Sequence, residues 1–299
     1  MMAAMTFVSS DLVLPAFVQT LSTSSIMVGL ASALMRIGWS WPQIFISRVV
    51  EPLPGKMPVF VVAGTARTAL WIAVGVLAMW LGAERPLTLL VVFMVVYGLA
   101  TSCMGITNVP WMDIIGKSVP ASDRAGMFAV RRLAGGATAV VSGALISWIL
   151  SERSGLTFPN NYAILFILSG VGTGLSVAAF ARIREPIQQK KRGKTLPIGE
   201  YLKVGIKLLK EDLNYRRLCI LQFLWAFSMM AAPFFVPYAL TDLEMDESVV
   251  GIFVIVMQVS SIFSNVLWAW VGKKKGNHAL LSMGTWFLAF SIAIPRRST

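Results

Sequence analysis

Few side chains in this sequence can do chemistry, and those that can stand inside apolar runs. Asp11, Arg36 and Gln43 lie in the first two such runs, and Gln258 and Asn265 lie in a late one. Arg36 and Gln43 are seven residues apart, as are Gln258 and Asn265. Seven residues is two helical turns, so each pair forms one polar stripe on one helix face. A polar group among apolar neighbours is costly unless it faces a cavity or a partner helix. One reading is therefore a polar pathway flanked by two helices. The other is interhelical hydrogen bonding that only holds helices together. Asp11 is the acidic residue placed well inside a run, about one turn before Pro15. A carboxylate there is a candidate partner for Arg36, or a site for a coupling ion such as a proton or sodium.

Enzyme chemistry finds no support in the residue pattern. There is one histidine, His278, beside a lysine run, and the two cysteines, Cys103 and Cys219, are far apart. No Gly-x-Ser-x-Gly turn, phosphate-cradling Gly-Lys-Thr loop or cysteine cluster occurs. The chain is expected not to be an enzyme, and no cofactor or metal is expected. A membrane-embedded enzyme, kept as an alternative, would need catalytic residues clustered at one depth.

The elements that must hold these residues follow from hydropathy. Of 299 residues, 56% are hydrophobic and 13% charged, too few polar groups to surface a soluble domain. The apolar residues fall into nine blocks, about 1–21, 26–47, 58–82, 87–109, 127–150, 162–182, 218–240, 248–271 and 279–295. Blocks of about 20 residues cross a bilayer core of about 30 Å as helices. Helices are required because lipid offers no partner to a bare backbone. The first block has no Lys or Arg before it, unlike a secretory signal.

The net charge of +12 sits in alternate loops. Arg48 and Lys56, then Lys117, Arg124, Arg131 and Arg132, then the stretch from Arg182 to Arg217, then Lys273 to Lys275 carry it, whereas another loop holds Asp242, Glu244, Asp246 and Glu247. Basic residues retained on the inner side place the N-terminus and these loops in the cytoplasm of a multi-pass protein of the inner (plasma) membrane. The charge is thus a topology signal, and nucleic acid is not an expected partner.

The chain also repeats itself. Leu12–Phe17 resembles Phe234–Ala239 at an offset of 222, which also pairs Gly29 with Gly251 and brings Arg36 and Gln43 onto Gln258 and Asn265. Spans one to three recur as spans seven to nine in the same orientation, a parallel six-span repeat. This predicts a first six-helix half over 1–182, a basic linker over 183–217 and a second half over 218–299. In the linker, Lys203, Lys207 and Lys210 recur at helical spacing beside Ile206 and Leu209, the pattern of a surface-lying amphipathic helix. A copy of the first half would run to about residue 404, so the chain is expected to lack about three of twelve helices. A non-transporting truncated fragment or scaffold is the corresponding alternative. Gly135, Ala139 and Gly143, and Gly170, Gly174 and Ala178, are small residues four apart and read as helix-packing faces.

Trp268 to Asn277, with Lys274 as its basic residue and Gly276 as its turn glycine, resembles the loop signature of the major facilitator superfamily. Lys273 stands where that signature has an acid and Ala269 where it begins with glycine. The equivalent earlier loop, Arg48 to Lys56, offers Glu51 and Gly55. Asp113 to Lys117 followed by Arg124 to Phe128 and Arg131 resembles the stretch joining spans four and five in bacterial members. The arginine and Gly-Pro elements of proton-driven drug exporters are missing. The resemblance implies an all-α bundle and secondary transport of a small solute by alternating access, with Glu51, Gly55, Asp113, Arg124, Lys274 and Gly276 as gating-loop candidates. The partners it implies are membrane lipid, a small-molecule substrate and a coupling ion.

Overall fold

A computed structural model describes residues 2–82, 84–187 and 198–293. They form helices α1 (Met2–Thr6), α2 (Val13–Leu21), α3 (Ser25–Val50), α4 (Met57–Leu81), α5 (Pro86–Ser118) and α6 (Ala121–Leu150). The chain continues through α7 (Asn160–Phe180), α8 (Ile198–Glu211), α9 (Leu213–Ser228), α10 (Phe235–Thr241) and α11 (Val249–Ala293). No strand occurs among the described residues.

Among the described residues, six stretches are long and apolar enough to cross a membrane: α4, α5, α6, α7, the run Leu213–Thr241, and Val249–Trp268 within α11. The nine uniform spans expected from hydropathy differ from this in three places. The first block is two short helices, not one. Proline inside a helix clashes with the carbonyl four residues back, which for Pro15 is that of Asp11. The helix therefore stops, and Pro15 lies in the first turn of α2, where its missing N–H costs nothing. In the second block, α3 has the length, 26 residues, but Arg36, Gln43 and four serines lower its hydropathy. The expected ninth block lies in α11 beyond Gly276 and runs past the described residues. Gly276 breaks α11 with φ 77° and ψ 174°, a conformation that a side chain would strain.

The core is aromatic. Phe17 of α2 meets Phe166 of α7 edge-on at 4.9 Å, and it lies 5.0 Å from Phe93 of α5 and 5.3 Å from Tyr162. Thus α2, though short, is buried along most of its length. Around it α4 packs on α5 and α7, α3 on α5, α6 on α11, and α1 on α6 and α7. The small residues of α6 and α7 sit at these contacts. Gly135 faces Met2, Gly143 faces α11, and Gly170 and Gly174 face Thr68. Among the described residues, the closest glycine approach to another helix's backbone is at Gly251, where a Cβ would stand 2.2 Å from the Ser147 nitrogen. The α6–α11 crossing is therefore backbone on backbone.

Helix α8 is amphipathic and exposed, with Lys207 pairing Glu211 at 3.8 Å on its polar side and Ile206 and Leu209 bare on the other. The basic stretch Gln188 to Lys194 lies outside the described residues.

Candidate functional site

Three cavities meet near the middle of the bundle. One of about 310 Å³ is walled by α1, the turn after it, α3, α5, α6 and α11. Its polar wall is Thr6, Ser9, Ser10, Arg131 and Gln258, and much of the remainder is methionine: Met2, Met5, Met35, Met104 and Met257. Arg131 also borders the other two cavities, of about 820 and 590 Å³. None of the three is lined by a carboxylate. Gln258 is about nine residues into α11, roughly 14 Å along its helix and near the middle of a core of about 30 Å. Arg131 lies one third of the way along the 30-residue α6, level with Trp111 and nearer the end where α4 begins. The Arg131 guanidinium lies 4.3 Å from the Trp111 ring centroid, a cation–π contact that holds it without neutralising it.

A second cation lies deeper in the bundle. Arg67 of α4 is 1% exposed and donates through Nη2 to Met5 Sδ, so a cavity-lining methionine covers it. Tyr97 and Cys103 are its other electrostatic neighbours. Among the described residues, no carboxylate lies within 4 Å of Arg67 or Arg131. Close by, the buried Tyr97 hydroxyl, Trp71 Nε1 and Thr173 hydroxyl have no hydrogen-bond partner.

The residues of the two polar stripes go to different places. Asp11 sits half-buried in the turn between α1 and α2, hydrogen-bonded to the Ser10 side chain and within electrostatic reach of Arg36. Arg36 and Gln43 line none of the three cavities; Gln43 donates to the Trp39 carbonyl at 2.7 Å and accepts from Asn108 at 3.4 Å. Gln258 lines the central cavity, and Asn265 lines the largest one, accepting from Arg132 at 3.4 Å. Seven-residue spacing put each pair on one helix face. What that face meets is decided by neighbours the spacing does not encode.

At the end of the bundle where α4 begins, four charges pair with one another. Asp113 of α5 bridges Lys56 at 2.7 Å and Lys117 at 2.6 Å. Lys117 also reaches Glu185 at 3.4 Å. The Glu185 carboxylate accepts from the backbone N–H groups of Lys56, at 2.7 Å, and Met57, at 2.8 Å, which places a negative charge on the α4 N-terminus. Gly55 lies against it, with a Cβ position 3.7 Å from Glu185 Oε2. Arg124 closes the α5 C-terminus, donating to the Val119 carbonyl at 3.0 Å and to that of Gly116. Glu51 is exposed at the end of α3, outside this cluster, and Lys274 lies over the Trp270 ring at 4.5 Å. The opposite end has one comparable contact: Glu247, in the loop before α11, accepts from buried Asn161 of α7 at 3.3 Å. Burial pushes the Glu247 carboxyl up; the Tyr162 hydroxyl opposes the rise, Asp246 adds to it and Asn161 opposes it.

A family profile, the Major Facilitator Superfamily, matches residues 1–295. The chain belongs to this superfamily. Among curated proteins and among solved structures, nothing matches it. Membership makes this superfamily chain a membrane transport protein, with lipid as its surroundings and a small solute as its substrate. The functional candidates that sequence reasoning passed over are Arg67, Lys56, Lys117 and Glu185. Arg67 carried a signal, a lone charge in the middle of an apolar run. Asp113 and Lys117 carried another, four-residue spacing on one helix. Nothing local joins Glu185 to Lys56, which are 129 residues apart.

Proposed function

We propose that this chain moves a small solute across the cell inner membrane by alternating access, with the central cavity as the solute site. The observation that carries the reading is the placement of Arg131 and Gln258, on helices packed against each other, in one cavity wall inside the bundle. The paired charges lie outside that wall, at Lys56 and at Glu247. The basic loops set the Lys56 end in the cytoplasm and Glu247 outside, by inner retention of basic residues. The two six-helix halves proposed from the repeat, 1–182 and the part from 218 onward, then meet along α6 and α11, with 183–217 as linker on the inner surface. Asp11, beside Arg36, is the proposed coupling-ion site, for a proton or sodium.

The test needs no knowledge of the solute. In a variant with Cys103 and Cys219 replaced by serine, Gln258→Cys is exposed to an impermeant thiol reagent in right-side-out and inside-out vesicles. Alternating access predicts labelling from both sides. Labelling from one side only would overturn it. In the same vesicles a cysteine at Lys274 should react only from the cytoplasmic face and one at Asp246 only from the outer face; the reverse would invert the orientation.

A further inference from the structure

We propose that the central cavity is selective for an organic anion, a carboxylate or comparable oxyanion on an apolar body. This rests on the transport reading above and adds a substrate class to it. A cation inside the bundle is costly unless something answers its charge, most of all one as buried as Arg67. Arg36 has Asp11 within reach. Arg131 and Arg67 have no carboxylate within 4 Å among the described residues, and no acidic side chain lines the cavities that Arg131 borders. The missing negative charge is the one a solute would bring.

The surrounding groups suit such a solute. A guanidinium presents a planar fork that matches a carboxylate with two parallel hydrogen bonds. Stacking on Trp111 fixes that fork while leaving its N–H groups to a ligand. Ser9 supplies a hydroxyl and Gln258 a side-chain amide donor in the same lining. The methionine lining offers adaptable apolar contact to the body of the solute. A volume of about 310 Å³ is at the small end of the range of small-molecule sites. Met5 stands between this cavity and Arg67, so an anion that displaces its thioether gains a second guanidinium.

The experiment uses the full chain purified in detergent and three probes of one shape but different charge: benzoate, benzamide and benzylamine. Binding is read by calorimetric titration and by the rise in Tm with probe concentration. Benzoate should bind, and its neutral and cationic counterparts should not. Arg131→Gln should weaken benzoate by about tenfold or more, the loss of one charge-assisted contact. Arg131→Lys keeps the charge but not the fork and should fall between. Each variant's Tm without probe reports folding, and Lys207→Gln on exposed α8 should bind as the wild type does. Equal binding of benzamide or benzylamine, no binding of benzoate, or unchanged affinity in Arg131→Gln would each overturn the proposal. The same probes in vesicles separate it from the transport reading. Benzoate bound in detergent but never moved across a vesicle membrane removes transport and keeps the anion site. Flux of a neutral or cationic solute without benzoate binding does the reverse.

Discussion

The charges clustered at Lys56 and the two arginines without carboxylates obey the same electrostatics with opposite outcomes. Lys56, Lys117, Asp113 and Glu185 are two cations and two carboxylates, linked by contacts of 2.6 to 3.4 Å and by backbone donors on α4. Arg67, about 15 Å farther along α4, and Arg131, beside Trp111, have aromatic rings, a thiol and a thioether for company. A satisfied cluster is finished: it joins α4, α5 and the segment after α7, and has no valence left over. An unanswered cation leaves a requirement open. The first arrangement serves structure, and the second serves a ligand that comes and goes.

The sharpest way to break this contrast is to remove one member of the finished cluster. Glu185→Ala leaves Lys56 and Lys117 to share the single carboxylate of Asp113 and uncaps α4, and should lower Tm by about 10 °C, the result of a buried positive charge left in excess. A Tm within 2 °C of wild type would show that the cluster is not structural. Arg67→Met is the counterpart. It removes a cation that leaves no carboxylate behind, so Tm should stay within about 3 °C of wild type. A collapse comparable to Glu185→Ala would mean that Arg67 is held by partners as binding as those of Lys117. Asp11→Asn should also spare Tm to within about 3 °C while reducing ion-driven flux, because its neighbour Arg36 is exposed. Flux at the wild-type rate would remove Asp11 from coupling.

The smallest effect is expected at Glu247. Its carboxyl holds a proton to higher pH in the folded protein than its ordinary value of 4.5, so the folded state binds more protons in that window. The contribution of Glu247 to stability is therefore fully present at and below pH 4.5 and is lost as pH rises through the raised value, because the buried carboxyl is costly to ionise. Glu247→Gln should keep the low-pH behaviour at neutral pH, raising Tm there by about 2 °C and flattening its pH dependence. A steeper dependence in the variant would reverse the sign of the argument.

Much of the fold was legible because a bilayer imposes length and apolarity, and both are local properties of sequence. The stretches α4, α5, α6 and α7 appear where their hydropathy places them. The break at Asp11 was also written locally, in Pro15, whose ring forbids a helix through that carbonyl. Arg131 and Arg132 were counted with the loop charges, yet α6 begins at Ala121 and carries them inward. The site was harder to read because its contacts join residues far apart in sequence. Arg67 and Met5 are 62 positions apart, and Asn161 and Glu247 are 86. The offset of 222 found the positions Gln258 and Asn265 but not the surfaces they meet, since a repeat preserves a face and not its neighbours.

The contact between Gly251 and the α6 backbone at Ser147 and Gly143 can be read mechanically. Two helices that touch through their backbones, with no side chain interposed, cannot slide but can tilt, and so share a fulcrum. From Gly251 to the break at Gly276 is a lever arm of about 38 Å at 1.5 Å per residue. A tilt of about 10° at one end sweeps the other through roughly 7 Å on that helical rise, about the width of a small solute. The side chains near the fulcrum barely move, and those near Gly276 travel farthest. Gly251→Val, which wedges the pivot, should therefore trap whichever side is open without touching the residues that bind.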